Sequence, residues 1–206
     1  MKRGSLFVIS APSGAGKTSL VKALLAAQPR LRLSISHTTR TRRPTEAEGR
    51  EYHFVSKAQF AELVQKHEFL EHAQVFDNSY GTSRAFVDGQ RAAGHDVLLE
   101  IDWQGAQQVR RAMPDCVSIF ILPPARQALA ERLARRATDT AEVIERRLRD
   151  AAGDMSHYRE FDYVVVNDDF ERALADLKRI IEGKGEELRS SRSGLKPLLA
   201  ELLAAG

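Results

Sequence analysis

The residues of this chain best suited to chemistry stand together near its start: Ala11-Pro12-Ser13-Gly14-Ala15-Gly16-Lys17-Thr18. An apolar run, Phe7-Val8-Ile9, feeds this small-residue loop, and a helical pattern of Leu20, Val21, Leu24 and Leu25 follows it at once. Strand, loop and helix in that order are what a phosphate-binding loop requires. Small residues let the backbone curl until several N–H groups face one anion, and the new helix adds the positive end of its dipole. The Lys17 ammonium can then reach terminal phosphates, and the Thr18 hydroxyl can ligate Mg2+. The strict form of the motif begins with glycine where this chain has Ala11. Alanine fits that place only if its φ is negative. A turn that merely joins strand to helix could use small residues too, but it would have no need of Gly-Lys-Thr at the mouth of a helix.

Three further stretches carry charge in useful places. Ser36-His37-Thr38-Thr39-Arg40-Thr41-Arg42-Arg43-Pro44-Thr45-Glu46 mixes hydroxyls with guanidiniums, which suits phosphate oxygens. A solvated charge run would read the same way. Val97-Leu98-Leu99-Glu100-Ile101-Asp102 is a buried-type strand ending in acids, the end at which such sheets face a metal or substrate. Arg132, Arg135, Arg136, Arg146, Arg147 and Arg149 crowd two helical patterns joined by Thr138-Asp139-Thr140. Taken alone these are solvated amphipathic helices. Downstream of a phosphate loop they read instead as a mobile lid that lowers arginines onto phosphates.

To position these groups, apolar runs alternate with helical patterns, which predicts an α/β protein with a mainly parallel sheet flanked by helices. Strands are expected at 6–10, 33–36, 52–55, 69–75, 97–102, 117–122 and 163–166, and helices at 17–27, 57–67, 104–113, 127–136, 142–152 and 170–182. Residues 78–82 read as a turn, and Asp168 or Asp169 as the cap of the helix that follows. The region 37–86 breaks the parallel alternation and reads as an insertion with its own small sheet. After Gly183 the tail is polar up to Pro197, and then Leu198, Leu199, Leu202 and Leu203 predict a short amphipathic helix. That helix could dock on the body or on a second copy, so homo-oligomerisation stays open.

Composition narrows the class. A chain of 206 residues can bury one substantial core. No apolar run approaches the roughly 18 residues a membrane span needs. Met1-Lys2-Arg3-Gly4 runs straight into a strand, without room for a signal peptide. A cytoplasmic protein with no membrane partner is the expectation. A net charge of +3 suits an anionic small substrate, and no nucleic-acid-binding motif is present. The single cysteine, Cys116, excludes an intrachain disulfide and reads as buried filler beside an apolar run. The six histidines lack metal-ligand spacing and read as structural or surface residues.

Several of these stretches, in this order, resemble one family. The loop Ala11 to Thr18, Ser36-His37-Thr38-Thr39-Arg40, Tyr80-Gly81-Thr82, Ile101-Asp102-Trp103-Gln104-Gly105 and Val166-Asn167-Asp168-Asp169 are similar to the guanylate kinases, above all the bacterial ones. The resemblance runs over about residues 4–183. It implies a P-loop nucleoside monophosphate kinase fold in one domain over 1–206. Residues 1–36, 87–134 and 157–206 would form the core, 37–86 a GMP-binding insertion and 135–156 a helical lid.

The implied substrates are ATP and GMP, with Mg2+, in purine nucleotide metabolism and GMP recycling. ATP would bind Ala11, Pro12, Ser13, Gly14, Ala15, Gly16, Lys17 and Thr18, with Asn167 beside the adenine. Ser36, Arg40, Arg43 and Tyr52 match residues that hold the GMP phosphate. Glu71, Thr82 and Asp102 match those that read guanine, and Tyr80 belongs to the same pocket. Arg136 and Arg147 match lid arginines, so Lys17, Arg40, Arg136 and Arg147 are the implied catalytic charges. Thr18 and Glu100 are the implied metal contacts. Two departures stand out. The lid reads Arg135-Arg136-Ala137 where the family has Gly-Arg-Gly, and Glu100 stands where Asp is common.

The chemistry agrees with the assignment. Guanine offers N1–H and N2–H donors to two carboxylates, Glu71 and Asp102, and its O6 could accept from the Thr82 hydroxyl. Adenine would leave those acids unpaired. No general base is needed, because the GMP phosphate, with a second pKa of about 6, is mostly dianionic at pH 7. Three other readings compete: a non-catalytic interaction module of the same family, a kinase for another small phosphate acceptor, and a nucleic-acid binder using Arg40 to Arg43. An intact Lys17 and Thr18 argue against the first, the guanine-reading set against the second, and the interspersed acids against the third.

Overall fold

Apolar runs of four to six residues, too short for helices and rich in Val and Ile, become the strands that carry the site. In the computed structural model, which describes residues 2–75, 77–134 and 141–204, the elements along the chain are as follows. They are β1 (Leu6–Ser10), α1 (Lys17–Ala27), β2 (Leu31–Leu33), β3 (His37–Thr38), β4 (His53–Phe54), α2 (Lys57–Gln65), β5 (Phe69–Val75), β6 (Asn78–Ser83), α3 (Arg84–Ala92), β7 (Asp96–Glu100), α4 (Trp103–Ala112), β8 (Val117–Leu122), α5 (Arg126–Ala134), α6 (Ala141–Ser156), β9 (Tyr163–Val166), α7 (Phe170–Ile181) and α8 (Lys196–Leu202). The chain divides into two compact units, Met1–Val8 with Pro29–Val117, and Ile9–Gln28 with Ser118–Gly206. Strand β1 begins in the first and ends in the second, and the five-stranded sheet has the order β2-β7-β1-β8-β9.

In the first unit β2 lies parallel to β7, with Leu31 opposite Asp96 and Leu33 opposite Leu98. Val97, Leu98 and Leu99 are fully buried, as expected for a parallel strand covered on both faces. A second sheet has the order β4-β3-β6-β5, and its β5–β6 pair is antiparallel. The expected strand at 33–36 falls instead at Leu31–Leu33, because the chain leaves one sheet there and enters the other at His37. Residues 78–82 are not a turn but most of β6. Their small polar side chains give no alternating signal, and pairing with β3 and β5 makes them a strand. Gly81 allows the close packing, since a Cβ there would stand 3.0 Å from the Phe69 ring. Helix α2 opens on a capping box between Ser56 and Gln59. Buried Arg91 on α3 donates to the Gly4 carbonyl at 2.9 Å and pairs with Asp115, which anchors the chain's first residues.

In the second unit β8 and β9 are parallel, Ile119 opposite Tyr163 and Leu122 opposite Val166. Leu20, Val21 and Leu24 of α1 and Leu174, Leu177 and Ile180 of α7 are buried. Of the two candidate caps, Asp169 holds α7, accepting the Arg172 amide at 2.8 Å. The tail docks within this unit. Arg192 donates to the carbonyls of Val164 and Leu188 at 2.7 Å each, and Leu195, Leu199 and Leu202 are buried. Among the described residues no helix is long and apolar enough to cross a membrane.

Candidate active site

The phosphate loop is built entirely within the second unit. After β1 the chain turns, with the Ala15 amide donating to the Pro12 carbonyl at 3.2 Å, and α1 starts at Lys17. The left-handed positions are Gly14 (φ 89°) and Gly16 (φ 93°). His67 is the only non-glycine with positive φ among the described residues, so Ala11 meets the condition set by its side chain. Both glycines are also spatially required. A Cβ on Gly14 would stand 3.0 Å from Leu129 and Leu133, and one on Gly16 would stand 2.4 Å from the Asn167 amide. Asn167 itself is buried, and its Nδ2 donates to the Ala15 carbonyl at 2.7 Å. Arg132 reaches the same carbonyl at 3.4 Å and the Asn167 carbonyl at 2.9 Å. The bonds to the Ala15 oxygen fix the Ala15–Gly16 peptide and with it the direction of the Gly16 N–H, which is opposite to the carbonyl in a trans peptide. Asn167 thus acts here as a brace for the loop.

The arginine clamp lies in the first unit. Arg40 Nη2 donates to Glu46 Oε1 at 2.7 Å and Nη1 to the Thr41 carbonyl at 2.9 Å, while the guanidinium lies 5.4 Å from the Tyr52 ring centre. Burial opposes the Arg40 charge, but the Glu46 bond and charge outweigh it and hold the guanidinium above its ordinary pKa. Glu46 Oε2 accepts the Arg43 amide at 2.8 Å, and the Arg43 guanidinium, 57% exposed, lies 3.9 Å from Glu46 Oε1. Burial likewise opposes the Glu46 charge, and its bonds to Arg40 and Arg43 override this and lower its pKa. Tyr52 and Tyr80 meet edge to face with ring centres 5.8 Å apart. Burial, then Tyr80 and Glu100, push the Tyr52 hydroxyl up to about 12, so it stays a donor across physiological pH. The solvated-run reading of this loop does not hold for Arg40 and Glu46, which are folded inward.

The two acids expected to read the base are also in the first unit. Glu71 on β5 is 3% exposed and opposite Thr82 on β6, whose hydroxyl donates to Glu71 Oε1 at 2.5 Å. That hydroxyl has one proton, and it is directed at Glu71. Thr82 therefore orients the acid and does not offer the expected donor to O6. Asp102 ends no strand. It is the N-cap of α4, and its Oδ1 accepts the Gly105 amide at 2.8 Å.

The structure brings Arg40, Arg43, Tyr52 and Tyr80 together around Glu46, and Glu71, Thr82 and Asp102 together around Gly105. Buried Ser36 immediately precedes β3, and its carbonyl accepts from His53. Arg136 lies outside the described residues. Arg147 falls on α6, but its side chain is outside them too. Thr18, exposed on the first turn of α1, and Glu100, half-buried at the end of β7, are oxygen donors of the kind Mg2+ takes. They belong to different units. Among the described residues no group of three His, Cys, Asp or Glu could hold a metal, so the ion would need oxygens from nucleotide and water. Arg132, read from the sequence as one of the lid arginines, is instead committed to the Ala15 and Asn167 carbonyls, and sequence reasoning gave no individual role to Glu46, Gly105 or Gln108. An acid closing a basic run was a usable signal for Glu46, while Gln108 carries none.

The family model for guanylate kinase matches residues 3–184. The chain belongs to the guanylate kinase family. A curated guanylate kinase of Methylococcus capsulatus is 54% identical over 203 residues, covering 98% of this chain and all of the relative. That of Hahella chejuensis is 56% identical over 191 residues, covering 93% and 91%. The crystal structure of guanylate kinase from Anaplasma phagocytophilum shares 35% identity at a TM-score of 0.73, covering 97% of this chain and 95% of that one. The 11–18 loop and the acids Glu71 and Asp102 all lie inside the region matched by the family model.

Proposed function

We propose that this guanylate kinase family member transfers the γ-phosphoryl group of ATP to GMP, giving ADP and GDP, by in-line displacement without a general base. The observation that carries the reading is the placement of two acids against one helix glycine. Buried Glu71 and the capping Asp102 converge on Gly105, two acceptors matched to the two neighbouring N–H donors of guanine. AMP offers an unprotonated N1 at that place and would leave buried acids unpaired.

The phosphate of GMP would lie against Arg40, Arg43, Tyr52 and Tyr80, with Ser36 close in sequence to the same strand. ATP would lie with its phosphates on the loop from Ala11 to Thr18, where Lys17 neutralises charge. Thr18 and Glu100 would hold Mg2+, which supplies Lewis-acid neutralisation of the phosphate oxygens. The GMP phosphate is already a dianion, so the chain's task is to bring two anions together and to exclude water. Arg136 and Arg147 are assigned to closure over the ATP phosphates, in a lid over 135–156. Core segments 1–36, 87–134 and 157–206 and an acceptor-binding insertion over 37–86 complete the proposed division of labour.

The test is ADP production from ATP and Mg2+ with GMP, AMP, UMP and CMP offered in parallel. ADP with GMP alone supports the reading. Equal rates with AMP, or none with any acceptor from folded protein, would overturn it.

A further inference from the structure

Helix α4 meets strand β5 through two residues that belong to no assigned site. A Cβ built on Gly105 would lie 2.4 Å from Glu71 Oε2, 3.0 Å from Glu71 Cδ and 3.3 Å from Asp102 Oδ1. The space a side chain would fill is therefore occupied by the Glu71 carboxylate. That carboxylate has no easy retreat, because its other oxygen is held by fully buried Thr82 and the side chain is buried. The amide of Gly105 meanwhile holds Asp102 Oδ1 at 2.8 Å. One glycine thus touches both acids, one through its N–H and one through its missing side chain.

Three residues further along α4, Gln108 grips the backbone of the residue after Glu71. Its Oε1 accepts the His72 amide at 3.1 Å, and its Nε2 donates to the His72 carbonyl at 2.7 Å. Strand β5 is the last in its sheet, so this side-chain amide takes the place of a neighbouring strand on its free edge. Asp102, Gly105 and Gln108 follow at intervals of three, which keeps them on one side of the helix.

We propose that Gly105 and Gln108 are positioning residues for base specificity, through which α4 sets the placement of Glu71 relative to the Asp102 on its own cap. The inference rests on the guanine-reading role given to that acid pair. The recognised group is the N1–H and exocyclic amine edge of a 2-aminopurine monophosphate. With Gly105 replaced, Glu71 is displaced from that edge. With the Gln108 grip lost, β5 is free to slide against the helix.

The experiment compares wild type, Gly105→Ala and Gln108→Met for KM and kcat with GMP, with IMP (which lacks the exocyclic amine) and with ATP, beside thermal unfolding. Gly105→Ala should raise KM for GMP about 10- to 100-fold and reduce the GMP-over-IMP preference to a similar extent. KM for ATP should stay at wild type. The unfolding midpoint should fall only modestly, because the better helix propensity of alanine offsets part of the crowding against Glu71. Gln108→Met should shift KM and preference the same way by roughly 3- to 10-fold. A wild-type enzyme active on GMP, with KM and preference retained in both variants, overturns the inference alone. A wild type inactive on GMP overturns the underlying reading and this inference with it. If Gly105→Ala fails to fold, Gln108→Met decides by the same two criteria.

Discussion

The Glu46 carboxylate lies 2.7 Å from the Arg40 guanidinium, with the two side chains 11% and 17% exposed. Its second oxygen holds the Arg43 amide at 2.8 Å, and the Glu46 amide returns a bond to the Arg43 carbonyl at 3.1 Å. A negative charge thus sits inside the cluster proposed to receive a phosphate, and it fixes both the orientation of Arg40 and the turn that carries Arg43.

If fixing the clamp outweighs competition with the phosphate, Glu46→Gln should raise KM for GMP by about tenfold and leave KM for ATP unchanged. Steady-state kinetics with each substrate varied in turn check this. A lower KM for GMP would show Glu46 to be a competitor of the phosphate.

Asn167 and Arg132 give the donor side a matching prediction. Both bond the Ala15 carbonyl, and Asn167 fills the space beside Gly16. Asn167→Ala should lower stability by about 1 kcal/mol, the cost of a buried acceptor that loses its shorter bond and keeps only the longer one to Arg132. KM for ATP should rise by roughly tenfold with KM for GMP little changed. Urea unfolding and ATP titration measure the two effects, and an unchanged ATP affinity would remove the brace from the account.

Much of this was readable before the structure, and the failures have physical causes. Strands such as 6–10, 117–122 and 163–166 are continuous apolar runs buried on both faces, and their limits agree with β1, β8 and β9. Residues 78–82 deceived because Asn, Ser, Gly and Thr have turn chemistry, and only long-range pairing makes them a strand. Asp102 read as a strand end and became a helix cap, a difference of two residues that changes which of its oxygens is committed. Glu71 and Thr82 carry no local signal at all. Their bond arises from cross-strand register, which one sequence does not display.

A pH effect follows from His37. Burial first, and then the charge of His53, lower its pKa below 6.5, while Glu48 and Glu68 act the other way. Its Nδ1 is buried without a hydrogen-bond partner, and its ring packs against His53 at 4.8 Å and Phe69 at 5.4 Å. Protonation would place a charged donor there. The unfolded chain takes up this proton from about pH 6.5 downward, whereas the folded chain resists it to lower pH. Stability is therefore lost as pH falls from 6.5 toward the folded value. Thermal unfolding between pH 7 and 5 should show a falling midpoint in wild type and a shallower fall in His37→Phe. Equal slopes would contradict the assignment.

Lys17 opens α1 directly after the Gly16 turn, the place from which it is proposed to neutralise the ATP phosphates. Lys17→Ala should lower kcat by about a thousandfold or more while circular dichroism and the unfolding midpoint stay close to wild type. Wild-type turnover in that variant would remove Lys17 from the mechanism.

The most direct test of the central claim is to follow the label from γ-32P-ATP in the presence of Mg2+ and GMP. The account predicts that the label appears in the β-phosphate of GDP, in step with ADP, with little released as inorganic phosphate. Label found only in inorganic phosphate, or transferred equally well to AMP, would contradict it.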